Sequence, residues 1–318
     1  MNRRDTLKAM GIAALGATTG TGNVQGAESR KKEKTKKGDI YLGMCVGHYK
    51  SEGLNRARRV EKLARTGFKY VNSCSFQKPA PDHEWRELKR VVQDCGIVPV
   101  QCGSGIAPWG EFDPAEGDKR LDAVKPYLDK CADIGNKLIC MLPPVWHEDL
   151  PFEVSWGTSI EWTRQYAALC KERGLAITCE IEPERDYITC RFGDAVRWIE
   201  QINCDNFFMN VDTGHLCLWK FRPEWIRKYS EMVVHTHLSE NDGRKHQSWT
   251  LGTGTTNHAG YFKSLVEGGF IENAKKHGIP PVACMEFYIP GHNKSTFDEE
   301  LKTSMDWVKQ HLPYMKLS

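Results

Sequence analysis

From Asp39 onward the chain repeats one unit eight times, a run of five or six apolar or β-branched residues followed by a longer, more polar stretch. The runs are Ile40–Cys45, Tyr70–Cys74, Val98–Cys102, Leu138–Leu142, Ala176–Ile181, Phe207–Val211, Met232–His237 and Val282–Phe287. Seven of the longer stretches place apolar residues at helical spacing: Leu54–Leu63, Trp85–Val92, Leu121–Ala132, Ile160–Leu169, Ala195–Ile202, Tyr261–Ala274 and Leu301–Val308. Strands that alternate with helices build right-handed βαβ units and a parallel sheet. Eight such units over residues 39–318 predict a closed (β/α)8 barrel, an α/β TIM barrel in a single domain, rather than an open doubly wound sheet. No Gly-x-Gly-x-x-Gly follows the first run, and the Gly252-Thr253-Gly254 loop lacks the Gly-Lys-Ser/Thr of a phosphate loop.

Composition narrows the partners. Forty-four basic against forty-one acidic residues leave a net charge of +3, scattered along the chain, so no broad basic surface for nucleic acid is expected. Hydrophobic residues make up 40% of the 318 and ten are tryptophan, which allows a sizeable core. No apolar run reaches the eighteen or so residues that a membrane span needs. Residues 1–27 resemble a twin-arginine export signal: Arg3-Arg4 stand just ahead of the apolar stretch Ala9–Gly20, with cleavage expected near Ala27. An exported, periplasmic protein is the expectation. Residues 28–38 are almost entirely basic and polar and read as a solvated linker. The twelve cysteines include no Cys-x-x-Cys, and Cys45, Cys74, Cys102, Cys140, Cys179 and Cys284 lie in or beside apolar runs. Most are expected to be buried thiols, with one or two disulfides left open.

In a (β/α)8 barrel the chemistry sits at the C-terminal ends of the strands. The first four runs end in little that titrates: His48, then Ser73 and Ser75, then Gln101 and Ser104, then Pro143 and Pro144. The last four end in Glu180 and Glu182, in Asp212 and His215, in His235, His237 and Glu240, and in Glu286. Glu180, Asp212, His237 and Glu286, one from each strand, would share one bowl. Three carboxylates so close repel one another, and a bound divalent cation removes the conflict. Three oxygen donors and one imidazole suit Mn²⁺, Mg²⁺ or Co²⁺, and suit Zn²⁺ less well. Glu182 shares a strand face with Glu180 and is assigned a supporting or substrate-facing role. His235 is expected to be a hydrogen-bonded core histidine or a partner of His237. Among rim aromatics, Trp109 is the first choice for a stacking platform under a ligand, ahead of Trp146 and Trp249. The Asn241–His246 run reads equally as a lid or a polar turn.

These segments, Cys179-Glu180-Ile181-Glu182-Pro183, Asn210-Val211-Asp212-Thr213-Gly214-His215-Leu216, His235-Thr236-His237-Leu238-Ser239-Glu240-Asn241-Asp242 and Cys284-Met285-Glu286-Phe287, resemble the xylose-isomerase-like TIM barrels. Within that family they are most similar to the sugar isomerase and epimerase branch that contains the ketose 3-epimerases, over essentially all of 39–318. The resemblance implies one divalent metal, Mn²⁺ favoured, on Glu180, Asp212, His237 and Glu286. It implies Glu180 and Glu286 as the acid–base pair and His215 as a contact to a substrate hydroxyl. Asp186, six residues beyond Glu180, matches a sugar-holding carboxylate of those epimerases. Their arginine six residues past the ligand histidine is here Gly243, with Arg244 one place later.

The chemistry implied is proton transfer next to a sugar carbonyl through an enediolate. Return of the proton to the opposite face is epimerisation, and return to the adjacent carbon is isomerisation. Loss of a β-substituent is elimination, which makes a lyase acting on oxidised sugars or glycosides the alternative. A non-catalytic carbohydrate-binding barrel ranks lower. So does a phosphodiesterase like the DNA-repair endonucleases, whose extra histidines are replaced here by Asn72-Ser73-Cys74-Ser75 and Gln101-Cys102-Gly103-Ser104. The expected partner is a small sugar, with no nucleic acid; homo-oligomerisation is left open.

Overall fold

The computed structural model describes residues 40–47, 49, 53–72, 80–105, 117–146, 149–287 and 296–317. The export-signal and linker segments, Trp109, His48, Ser73, Cys74 and Ser75 lie outside the described residues. Eight strands form the barrel: β1 (Ile40–Cys45), β2 (Tyr70–Asn72), β3 (Val98–Gly103), β4 (Leu138–Met141), β5 (Ala176–Glu180), β6 (Phe207–Asp212), β7 (Val233–Leu238) and β8 (Val282–Met285). They pair in parallel and in sequence order, and β1 bonds to both β2 and β8, which closes the ring. A short β9 (Met315–Lys316) adds to β1. This is the expected (β/α)8 barrel.

The helices between strands are α1 (Arg56–Arg65), α2 (Asp82–Asp94), α3 (Gly117–Asp133), α4 (Phe152–Lys171) and α5 (Phe192–Ile202). After β6 come α6 (Thr213–Leu218), α7 (Pro223–Ile226) and a 3-10 turn at Arg227–Met232; then follow α8 (His258–Glu267), α9 (Phe270–Lys276) and α10 (Phe297–His311). Each long helix turns an apolar stripe to the barrel. In α1 the buried residues are Ala57, Val60 and Leu63, and Asn55 caps its first turn by accepting from the Arg58 amide. Leu63 and Leu88 are wholly buried, each contributing about 1.5–3 kcal/mol.

Two expectations change. Tyr261–Ala274 is not one helix but α8 and α9, broken at Gly268-Gly269. A Cβ on Gly268 would stand 2.4 Å from Ser230 Oγ and 2.5 Å from Arg227 O, and Gly269 has φ of 97°. Close packing on the 3-10 turn therefore demands glycine and ends the helix there. The short α6 is the other addition, and it starts directly on Asp212.

The barrel interior changes character along its axis. Lower down, Tyr70, Val100, Leu138, Phe208, Val282 and Cys284 pack together. Toward the C-terminal ends, Asn72, Gln101, Thr178, Asn210 and His235 are wholly buried polar groups. None of the eleven described cysteines forms a disulfide, and six of them are buried. Among the described residues, no helix is long and apolar enough to cross a membrane.

Candidate metal centre

Strand alternation and two irregularities aim the site. Thr178 and Glu180 share one face of β5, and Glu180 stands beside Asn210 of β6. Between β6 and β7 the register slips by one residue at Met209/Asn210, which skips Val234 and sets Asn210 beside His235 and Asp212 beside His237. A one-residue slip changes the face a side chain occupies, so this bulge determines what enters the bowl. Glu286 lies one residue past β8, yet its amide still donates to Leu238 O at 2.9 Å.

Glu180, Asp212, His237 and Glu286 thus meet, with one ligand atom from each inside a 4.8 Å span. His237 Nδ1 is 2.7 Å from Glu180 Oε1 and 3.0 Å from Glu286 Oε2. Its Nε2 lies 2.6 Å from Asn72 Nδ2 and 3.2 Å from Gln101 Oε1, so two buried amides hold the far side of the ring. Burial disfavours charge on His237, but the Glu180 carboxylate, with help from Glu286, overrides it and holds the imidazole well above its usual pKa.

Asp212 is anchored through one oxygen. Its Oδ1 accepts from the Gly214 amide at 2.6 Å, the His215 amide at 3.4 Å and Ser239 Oγ at 2.6 Å. It therefore caps α6, while Oδ2 lies 4.0 Å from His215 Nε2. A Cβ on Gly214 would lie 2.2 Å from Ser239 Oγ, which explains the glycine in Asp212-Thr213-Gly214-His215. Two buried carboxylates and a half-buried one around one imidazole fit a hard or borderline divalent cation.

His235 departs from expectation. It is a core residue, set edge-on to His237 with ring centroids 5.5 Å apart, but neither ring nitrogen has a hydrogen-bond partner. Burial, then the neighbouring His237, lower its pKa well below the usual value, so the ring stays neutral.

A second cluster adjoins the first. His215 Nδ1 donates to Ile181 O at 2.7 Å, and its Nε2 is 2.8 Å from His246 Nε2 and 3.7 Å from Glu182 Oε2. His246 Nδ1 bonds to Glu184. Burial, then the charges of Glu180 and Glu184, push the Glu182 carboxyl up to about 11. Burial acts the same way on Glu184, but the His246 hydrogen bond and charge hold it at about 2. The hydrogen bond to Glu184 correspondingly raises His246.

Glu184 and His246 were not among the sequence-derived site residues. Only the polar run Asn241–His246 marked this segment. The side chains of Asp186 and Arg244 are exposed, and no described contact joins them to either cluster. Trp146 is 42% exposed, with Nε1 3.3 Å from Leu150 O, and Trp249 is partly buried.

The loop that carries His246 is tied at both ends. Glu240 Oε1 accepts from the amides of Asn241 at 3.2 Å and Thr256 at 2.9 Å, and Oε2 accepts from that of Gly252 at 3.0 Å. Glu240 Oε2 also lies 3.4 Å from His258 Nε2. His258 Nδ1 lies 3.0 Å from Thr213 Oγ1, which donates to His237 O at 3.3 Å.

Comparison with known proteins agrees with this fold. The zinc-bound IolI protein superposes with a TM-score of 0.70 at 16% identity, over 86% of this chain and 99% of that one. For 3-keto-D-glucoside 4-epimerase of E. coli the TM-score is 0.66 at 15% identity, over 85% and 99%. D-psicose 3-epimerase of Clostridium cellulolyticum H10, solved with D-tagatose, gives 0.69 at 17% identity, over 86% and 99%. At these identities the likeness is one of fold. A protein of Methanocaldococcus jannaschii is 26% identical over 145 residues, 46% of this chain, so the match spans only 56% of that relative's length. The family model of the xylose isomerase-like TIM barrel matches residues 60–311, nearly the whole barrel, and the chain belongs to that family.

Proposed function

We propose that this protein is a divalent-metal-dependent sugar isomerase or epimerase in which Glu180 and Glu286 exchange a proton with a carbon next to a carbonyl. One observation carries the reading: carboxylates from β5 and from the end of β8 converge on the same nitrogen, His237 Nδ1, at 2.7 and 3.0 Å. Glu180, Asp212, His237 and Glu286 would hold the ion, which when bound stabilises negative charge that develops on the sugar oxygens. Glu180 takes the proton and Glu286 returns one. Asp212, held by α6 and Ser239, keeps its place as the carboxylates around it change charge. His215, braced by Ile181 O, faces a sugar hydroxyl. The presence of sugar epimerases among proteins of the same fold supports this substrate class.

The test is solvent deuterium incorporation. Metal-loaded protein in D2O is given D-psicose, D-tagatose or a 3-keto-glucoside, and the products are read by NMR. Deuterium beside the carbonyl, absent with Glu180→Gln and Glu286→Gln, is the expected result; the product then distinguishes epimer, isomer and eliminated sugar. No exchange with any keto sugar, or exchange that survives both substitutions, would sink the two-glutamate reading. Export by the twin-arginine route is a separate proposal that rests on Arg3 and Arg4. Replacement of both by lysine should retain the protein in the cytoplasm, and undiminished export would refute it.

A further inference from the structure

The four-residue centre has a sulfur neighbour on its β1 side. Cys45, the last residue of β1, is only 1% exposed. Gly43 pairs with Cys284 and Met44 with Met285, so the next rung sets Cys45 beside Glu286. Gly43 and Cys45 share one face of the strand. A Cβ on Gly43 would stand 2.6 Å from Cys284 Sγ, so the Cys284 sulfur fills the space below Cys45. The Cys45 thiol is thereby kept at the level of the site. One donor atom from each of Cys45, His237 and Glu286 lies inside a 4.8 Å span.

Two further observations point to a ligand role for this sulfur. The wholly buried Asn72 amide donates to Gln101 Oε1 at 2.6 Å and to Cys45 Sγ at 3.7 Å. An N–H aimed at sulfur stabilises the negative charge that a metal-bound thiolate carries. The donors also stand near ligand separations. His237 Nδ1 and Glu286 Oε2 are 3.0 Å apart, and nitrogen and oxygen ligands of one tetrahedral zinc are about 3.3 Å apart.

We propose that Cys45, His237 and Glu286 form a site for a thiophilic cation, Zn²⁺ or Cd²⁺, held through sulfur, nitrogen and oxygen. A thiolate selects such ions, whereas the carboxylate-rich set of four suits Mn²⁺ or Mg²⁺. Burial keeps the Cys45 thiol protonated in the metal-free chain, and coordination displaces that proton to solvent. His237 and Glu286 belong to both donor sets, so a thiophilic ion and an oxygen-bound one exclude each other. Only that exclusion rests on the four-residue centre, and nothing in the sulfur site depends on the reaction proposed above.

The test titrates the full, metal-free chain with cadmium alone and reads the ultraviolet sulfur-to-cadmium charge-transfer band, with circular dichroism to confirm folding. The first equivalent should give the band in the wild type and lose it in Cys45→Ser. Cys140→Ser is the control, because that thiol lies 3.5 Å from Glu180 Oε2, and it should keep the band. A first-equivalent band that survives Cys45→Ser, or a wild type that binds cadmium without one, would overturn the site. Should Cys45→Ser not fold, cadmium NMR on the wild type decides: coupling to cysteine β-protons is expected, and a resonance without it refutes the proposal. Failure of the four-residue centre reads differently. Glu180→Ala should lose manganese yet keep the cadmium band, and manganese retained there would count against that centre alone.

Discussion

Glu180 Oε1 and His237 Nδ1 stand 2.7 Å apart although the residues are 57 positions apart in the chain. Three neighbouring strands bring them together, and in the proposed reaction this places the base beside a metal ligand. Glu180→Gln keeps the side chain's shape but removes the proposed base, and Glu286→Gln likewise removes the proposed acid. Each should lower turnover by about 10²–10⁴-fold with an unchanged circular dichroism spectrum. Turnover within a few-fold of wild type in either variant would rule out its role in proton transfer.

The proton on His237 competes with a metal. The Glu180 carboxylate, against the effect of burial, raises its pKa well above normal, so near pH 7 the metal-free imidazole is charged. Metal binding at this centre should therefore release a proton. Calorimetry in buffers of differing ionisation enthalpy measures it, and the release should shrink in His237→Gln. Without metal, the stability that His237 adds is full below its unfolded pKa and is lost as pH rises through the folded one.

Glu182 acts in the opposite sense to a typical ion-paired carboxylate. Burial, and then Glu180 and Glu184, raise its pKa to about 11. Its contribution to stability is full below the unfolded value of about 4.3 and is lost progressively as pH rises toward 11. In metal-free protein, Glu182→Gln should be more stable than wild type at pH 8 by on the order of 1–2 kcal/mol, and nearly equal to it at pH 4. Urea unfolding at the two pH values decides it.

Gly214→Ala tests the packing under Asp212. The new methyl would lie 2.2 Å from Ser239 Oγ and 2.8 Å from Asn241 Nδ2, so β7's outgoing loop must move. A loss of about 1–3 kcal/mol in stability is expected. Because Ser239 also donates to Asp212, metal affinity should fall as well; unaltered affinity by calorimetry would separate the glycine from the site.

The barrel and its four converging residues were legible because the evidence is local. Each strand announces itself by five or six apolar residues, and each of the last four ends in a carboxylate or histidine. Features that depend on contacts between strands were not legible. The slip at Met209/Asn210 skips Val234, but no local pattern marks it. The break at Gly268-Gly269 follows from the approach of Arg227 and Ser230, some forty residues earlier. His235 carries the same alternation as His237, and only the absence of a partner around it distinguishes its state. Glu184 and His246 meet from loops 62 residues apart, so neither motif spacing nor periodicity could have joined them.

Glu240 holds the amides of Asn241, Gly252 and Thr256 with a single carboxylate, so the segment between them leaves and returns at one anchored point. Exchanges of residue or length around Gly243–Gln247 would change what faces His215 while leaving the strand that carries His237 in register. The rim can thus be rewritten independently of the barrel floor, and under the proposed function substrate preference can diverge in this chain without new acid–base residues having to evolve.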